Sequence, residues 1–277
     1  MSEPLTTVAT ISPETDHVLK TTLAVSSIAA VCEGARLSLR DVIPQRYHFL
    51  AIEAIYTFEL CLFRHQLLLL SEFGNVELPV LLPIVYTTVV LHSMSSSCGL
   101  CNPCTSLQKL MIGKSDFGRT IEKIIFQFGG AIGAWVCARQ VLLTEITNLY
   151  VLAGPECTSH LHISVQQGAL AELGCSFVFQ SVQQMLPLFA DSYHAHILGL
   201  TYAGLAAAAG HLTGAMFNPA VALSLNFFCK GTNISDNMFV YWLGPIAGMI
   251  LAVALFDHIF PTLKRLTGGE TGTLKID

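Results

Sequence analysis

Residues 210–227 read GHLTGAMFNPAVALSLNF. Glycine, threonine and alanine lead into Asn218-Pro219, and an uncharged run follows. Proline is at no disadvantage as the first residue of a helix, where its missing N–H would be unpaired anyway. Asparagine just before it is a natural N-cap. The run that begins at Ala220, AVALSLNFFCKG, gives about ten helical residues, roughly half a bilayer at 1.5 Å per residue. It ends on Gly231, a residue that commonly stops helices. The stretch therefore predicts a half-length helix that starts inside an apolar region. The same pattern occurs earlier, where SMSSSCGLCNPC (93–104) brings small residues up to Asn102-Pro103-Cys104 and CTSLQKLMIG runs on to Gly113.

Working outward from these two boxes, the chain repeats itself. Glu53-Ala-Ile-Tyr-Thr57 recurs as Glu172-Leu-Gly-Cys-Ser176, and QFGGAIGA from Gln127 recurs as YWLGPIAG from Tyr241. The offsets are 119 residues for the glutamates, 116 for the asparagines and 114 for the glycine-rich runs. Three unrelated features sharing nearly one offset define a duplication.

Composition supplies the solvent. Of 277 residues 52% are hydrophobic and 12% charged, with a mean hydropathy of +0.58. A soluble domain carries roughly 25% charge. Residues 78–108 and 192–229 contain no Asp, Glu, Lys or Arg, which suits membrane segments. Apolar spans are expected at 49–71, 79–97, 121–144, 167–190, 194–212 and 237–260. A weaker segment at 18–39 carries Lys20, Glu33 and Arg36, leaving only TTLAVSSIAAVC uncharged.

Each repeat then holds three spans, an odd number, so the second is inverted in the membrane. Such a fold places its site at the midplane between the halves. Two half-helices entering from opposite faces would meet at their N-termini. The positive potential there and two Asn amides would repel cations and protons while passing neutral hydroxylic molecules. Arg36, Arg40, Arg46, Lys109, Lys114, Arg119, Lys123, Lys264, Arg265 and Lys275 fall on one side, which is assigned as cytosolic. The loops near 72–78 and 145–165 then face away from the cytosol, as does the sequon Asn233-Ile-Ser, a candidate glycosylation site.

The paired Asn-Pro boxes, the Glu-x-x-x-Thr/Ser repeat and YWLGPIAG resemble the aquaporin (major intrinsic protein) family over roughly residues 48–262. Asn-Pro-Cys in the first box and the hydrophobic segment ahead of the core resemble its unorthodox intracellular branch. The resemblance implies an all-α membrane protein of six transmembrane helices plus two re-entrant half-helices, with an additional N-terminal hydrophobic segment. Its parts would be an N-terminal tail (1–47), a channel domain (48–262, repeats 48–145 and 166–262) and a cytosolic C-terminal tail (263–277). It also implies a homotetramer with one pore per subunit, in an intracellular membrane such as the endoplasmic reticulum, with the plasma membrane as alternative.

Site roles follow from the same resemblance. Asn102, Pro103, Cys104, Asn218, Pro219 and Ala220 form the boxes, and Glu53 and Glu172 support the half-helices. Orthodox water channels place an arginine after the second box, where it donates to solute and helps to exclude cations. This chain has Val221 there. The other filter positions fall on Leu82, Ala206 and Ala215, so a wide, uncharged, apolar constriction is expected, admitting glycerol or hydrogen peroxide as well as water.

Other readings are weaker. Cys98, Cys101 and Cys104 are one short of the usual four-ligand metal site and are read as small packing residues, with redox modification as the sharper alternative. Cys104 replaces the family's usual Ala at the mouth of the half-helix, where it is expected to line the lumen. Nine cysteines in mostly apolar segments give no disulfide framework. His92 and His211 are read as packing residues. A net charge of −5 without a basic run gives no reason to expect nucleic acid, and no cofactor motif or nucleophile–base pattern indicates an enzyme. Two rival functions stand beside the channel: a junctional or scaffolding protein with a vestigial pore, and a proton-coupled transporter using Glu53 and Glu172.

Overall fold

The computed structural model describes residues 12–95, 99–154, 157–231 and 233–259. Regular structure among them is helical, apart from one isolated bridge between Thr158 and Lys230. The expected tail 263–277 and Cys98 lie outside the described residues.

Where the sequence suggested a short weak segment, the protein has a 30-residue helix, α1 (Pro13–Val42). Ser12 caps it, Pro13 takes its first position, Glu14 and Asp16 lie in the first turn and Arg40 in the last, a charge order that suits the helix dipole. The charges that argued against a span are paired: Lys20 with Asp16 at 2.6 Å, and Arg36 with Glu33 and Glu59 at 2.7 Å each. By length and composition α1 can cross a membrane. It runs antiparallel along α2 (His48–Phe73), with His17 Nδ1 3.3 Å from the Gly74 carbonyl near one end and Arg36 on Glu59 further along.

The six expected spans correspond to α2, α3 (Leu78–Ser95), α5 (Phe117–Leu142), α7 (Val165–Met185), α8 (Asp191–Thr213) and a final helix. That final helix starts as α10 (Ile234–Met238), widens into a π-turn at Phe239–Leu243 and continues as α11 (Gly244–Val253). The two half-helices are α4 (Pro103–Met111) and α9 (Pro219–Leu225), and a short α6 (Asn148–Ala153) follows α5.

Helix α9 is shorter than predicted, ending at Leu225 rather than at Gly231. Asn226 stops it: its side chain donates to Asn237 Oδ1 at 2.7 Å and accepts the His160 N–H at 3.0 Å. The chain beyond is held by Ser159 N–H on the Lys230 carbonyl and by Lys230 N–H on that of Cys157. A disulfide between Cys157 and Cys229 locks this corner. The sequence reading, which expected no disulfide framework, missed this bond.

Packing interlocks the repeats. Helix α9, from the second repeat, is buried among Leu60 and Cys61 of α2 and Ala131 and Ala134 of α5. Helix α4 turns Cys104 onto Met249 and Val253 of α11. Close helix crossings rest on two glycines. A Cβ on Gly130 would stand 2.2 Å from the Ala54 carbonyl oxygen, and one on Gly248 would stand 2.2 Å from that of Leu173. Ala54 and Leu173 are counterparts at the glutamate offset, so Gly248 is the structural partner of Gly130. The sequence match had paired Gly130 with Gly244, one helical turn earlier; the π-turn just before Gly244 accompanies the shift.

Candidate functional site

Helices α4 and α9 meet tip to tip, and each Asn faces two ways. Asn102 Oδ1 accepts the Cys104 N–H at 2.9 Å, and Asn218 Oδ1 accepts those of Ala220 and Val221 at 3.0 and 3.4 Å. Each amide also reaches the opposite loop. Asn102 Nδ2 donates to the Phe217 carbonyl at 3.3 Å, and Asn218 Nδ2 donates to that of Cys101 at 2.8 Å. Oxygen on a backbone N–H and nitrogen on a carbonyl fix the orientation of both amides. An amide nitrogen carries two protons, so this latch leaves each Asn one N–H. Asn102 is 3% exposed and Asn218 1%.

The carbonyls in the latch belong to Cys101 and Phe217, with φ of 55° and 33°. Left-handed backbone at a residue with a side chain costs about 1–2 kcal/mol, and a buried carboxylate holds each turn. Glu53 accepts the N–H groups of Leu100 and Cys101 at 3.0 and 3.2 Å, together with Gln127 Nε2 at 2.9 Å. Glu172 accepts those of Met216 and Phe217, together with the Thr213 hydroxyl at 2.6 Å. The two differ in their counter-charge. Lys123 Nζ stands 3.3 Å from Glu53 Oε1, and among the described residues no Lys or Arg lies within 4 Å of Glu172.

The predicted filter positions divide. Ala215 and Val221 are fully buried, with Ala215 at φ 47° in the loop before the second box, whereas Leu82 and Ala206 are half-buried on α3 and α8. Beside Ala215 stands a charge that the sequence expectation did not include, Arg64 of α2. Its Nη2 donates to the carbonyls of Gly214 and Ala215 at 2.6 and 3.3 Å. Cys104, expected to line the lumen, is fully buried against Met249 and Val253 of α11. Pro103, Pro219 and Ala220 are buried in the first turns of their helices. Among the described residues no group of three His, Cys, Asp or Glu could hold a metal. His92 is buried 3.5 Å from Glu59, and His211 is exposed.

Sequence reasoning missed Arg64 and the disulfide. The signal for Arg64 was a cation inside an apolar span, normally a functional mark. For the disulfide it was one cysteine in each of two segments assigned to the same side of the membrane.

An inverted pair of three-helix repeats with half-helices meeting at polar tips defines an α-helical membrane channel. Residues 69–256 match the family described as Major intrinsic protein, and the chain belongs to that family. It is 31% identical to the putative aquaporin-12A of Homo sapiens over 84% of this chain and 78% of that one. It is 32% identical to aquaporin-12 of Mus musculus over 84% and 83%, and 29% identical to aquaporin-11 of Equus caballus over 78% and 80%. Its fold is that of the aquaglyceroporin from Plasmodium falciparum, at a TM-score of 0.63 and 18% identity, covering 79% of this chain and 98% of that one. The protein is thus a multi-pass membrane protein of a family of channels for small solutes.

Proposed function

We propose that the protein is a passive channel for small neutral solutes, water together with glycerol and hydrogen peroxide. The observation that carries this reading is the reciprocal Asn102–Asn218 latch. It holds two helix N-termini and two spare amide donors at one point, where a hydroxylic solute is favoured over a cation. Leu82, Ala206, Ala215 and Val221 are read as the walls of the constriction, with Arg64 beside them. Glu53 and Glu172 are read as supports of the loops, since both are already occupied by backbone donors.

The site of action is proposed to be an intracellular membrane, with the endoplasmic reticulum first, and the assembly a homotetramer. The Cys157–Cys229 disulfide supports an oxidising lumen on the side assigned as non-cytosolic. The exposed Asn233, just beyond it, is the proposed glycosylation site. A mass shift on glycosidase treatment that Asn233→Gln abolishes would establish it.

Stopped-flow shrinkage of proteoliposomes tests the channel, for water and glycerol, with a peroxide-sensitive dye alongside. Wild type should exceed protein-free vesicles, and Asn218→Asp at matched incorporation should not. Near-complete burial of both Asn side chains favours one second reading, a scaffold whose pore is closed. Folded wild-type protein that moves no solute faster than lipid would select it.

A further inference from the structure

We propose that Arg64 is the cation barrier of this pore, delivered from α2 rather than from the residue after the second box. The inference rests on the channel reading above and deepens it.

Arg64 lies eleven residues beyond Glu53 on α2, about 16 Å along the axis at 1.5 Å per residue. That places it in the non-cytosolic half of the protein. Its guanidinium is buried, 7% exposed, and rests on the two carbonyls that lead from α8 into the second box. Tyr202 of α8 lies beneath it, with Cζ 6.0 Å from the ring centroid. Among the described residues no carboxylate lies within ion-pair distance. The half-buried Arg36 of α1 has two. Both loop hydrogen bonds run from Nη2, while Nε is buried without a partner.

A desolvated cation with no carboxylate within 4 Å costs several kcal/mol, although its field reaches the buried Glu172. Capping two loop carbonyls requires an amide donor and no charge. What the charge adds is a positive field at the approach to the Asn pair, felt at low dielectric by any ion that enters. Ala215, whose carbonyl Arg64 holds, is one of the four positions assigned to the constriction. The guanidinium therefore stands beside one constriction position, ahead of a second box whose following residue, Val221, carries no charge. Selectivity follows from this placement. Neutral solutes with an acceptor oxygen should be admitted, and alkali cations and hydronium refused.

The test uses full-length protein in proteoliposomes, reading potassium leak with an entrapped dye and neutral flux by stopped flow. Arg64→Gln and Arg64→Met are compared with the charge-keeping Arg64→Lys, each checked for a monodisperse, folded state. Removing the charge should raise potassium leak about tenfold or more, as expected for a unit charge a few ångströms from the path. Water flux should change less than threefold, and Arg64→Lys should leak as little as wild type. A merely structural arginine would lower both fluxes together. Neutral flux with unchanged potassium leak in either folded neutral variant overturns the inference and leaves the channel reading intact. So does wild-type protein that passes potassium above protein-free vesicles while moving neutral solute, whatever the variants do. Wild type that moves no solute at all overturns the channel reading, and the inference with it.

Discussion

The two repeats solve one problem with different surroundings. In the first, the turn held by Glu53 is only half-buried at Gly99 and Leu100, and the carboxylate has Lys123 beside it, 18% exposed toward the side assigned as cytosolic. In the second, every residue from Thr213 to Asn226 is buried, Glu172 has no Lys or Arg within 4 Å among the described residues, and a disulfide closes the corner beyond α9. The loop of the second repeat is part of the protein's core. That of the first is braced from outside, and α1, an element with no counterpart in the second repeat, lies along the helix that supports it. Duplication preserved the hydrogen bonds and let the dielectric around them diverge.

The two repeats should differ most at their buried carboxylates. Glu172→Gln should cost about 3–5 kcal/mol, since an amide turns donors toward buried donors and leaves them unmatched. Glu53→Gln should cost about half of that, because Lys123 and the half-exposed turn can find water. Thermal unfolding of the detergent-solubilised variants measures both, and equal losses would break the distinction. Replacing Cys157 and Cys229 by serine should cost about 2–4 kcal/mol and abolish any effect of reductant on the melting of the protein. A reductant effect that persists in the double variant would mean a different bridge.

Smaller effects sharpen the helix crossings and the caps. Gly248→Val pushes a Cβ into the Leu173 carbonyl and should cost about 1–3 kcal/mol, whereas Gly174→Ala, where a Cβ meets nothing within 4 Å, should be neutral or slightly stabilising. A tolerated Gly248→Val would return the crossing to Gly244, as the sequence match had it. Asn102→Ala removes one cap and one arm of the latch, an effect of about 1 kcal/mol on melting. Its larger consequence should be on solute flux, read in the same proteoliposomes.

Much of this architecture was legible in the sequence, because the features that build it are local. Asn-Pro after small residues, Glu-x-x-x-Thr/Ser in an apolar span and charge-free runs each state their own geometry. What escaped depends on distant pairing. Arg36 reads as an obstacle to a span until Glu59, 23 residues on, neutralises it. Cys157 and Cys229 are 72 residues apart and look like any other cysteines of an apolar chain. Arg64 sits in a helix that the filter positions do not include, and its acceptors lie 150 and 151 residues away. The length of α9 was misjudged because Asn226 stops it through partners on two other segments.

The latch also sets a schedule for synthesis. The Cys101 carbonyl is capped by an amide 117 residues further along the chain, and a ribosome adding roughly 5–20 residues per second needs some 6–23 s to reach it. During that interval the first repeat holds a left-handed turn in the bilayer with the Cys101 carbonyl uncapped, supported by Glu53, Gln127 and the Asn102 cap. The nascent protein is therefore most vulnerable to quality control before its second half exists. Substitutions around Glu53 should lower yield through this early intermediate more than the stability of the finished channel would suggest.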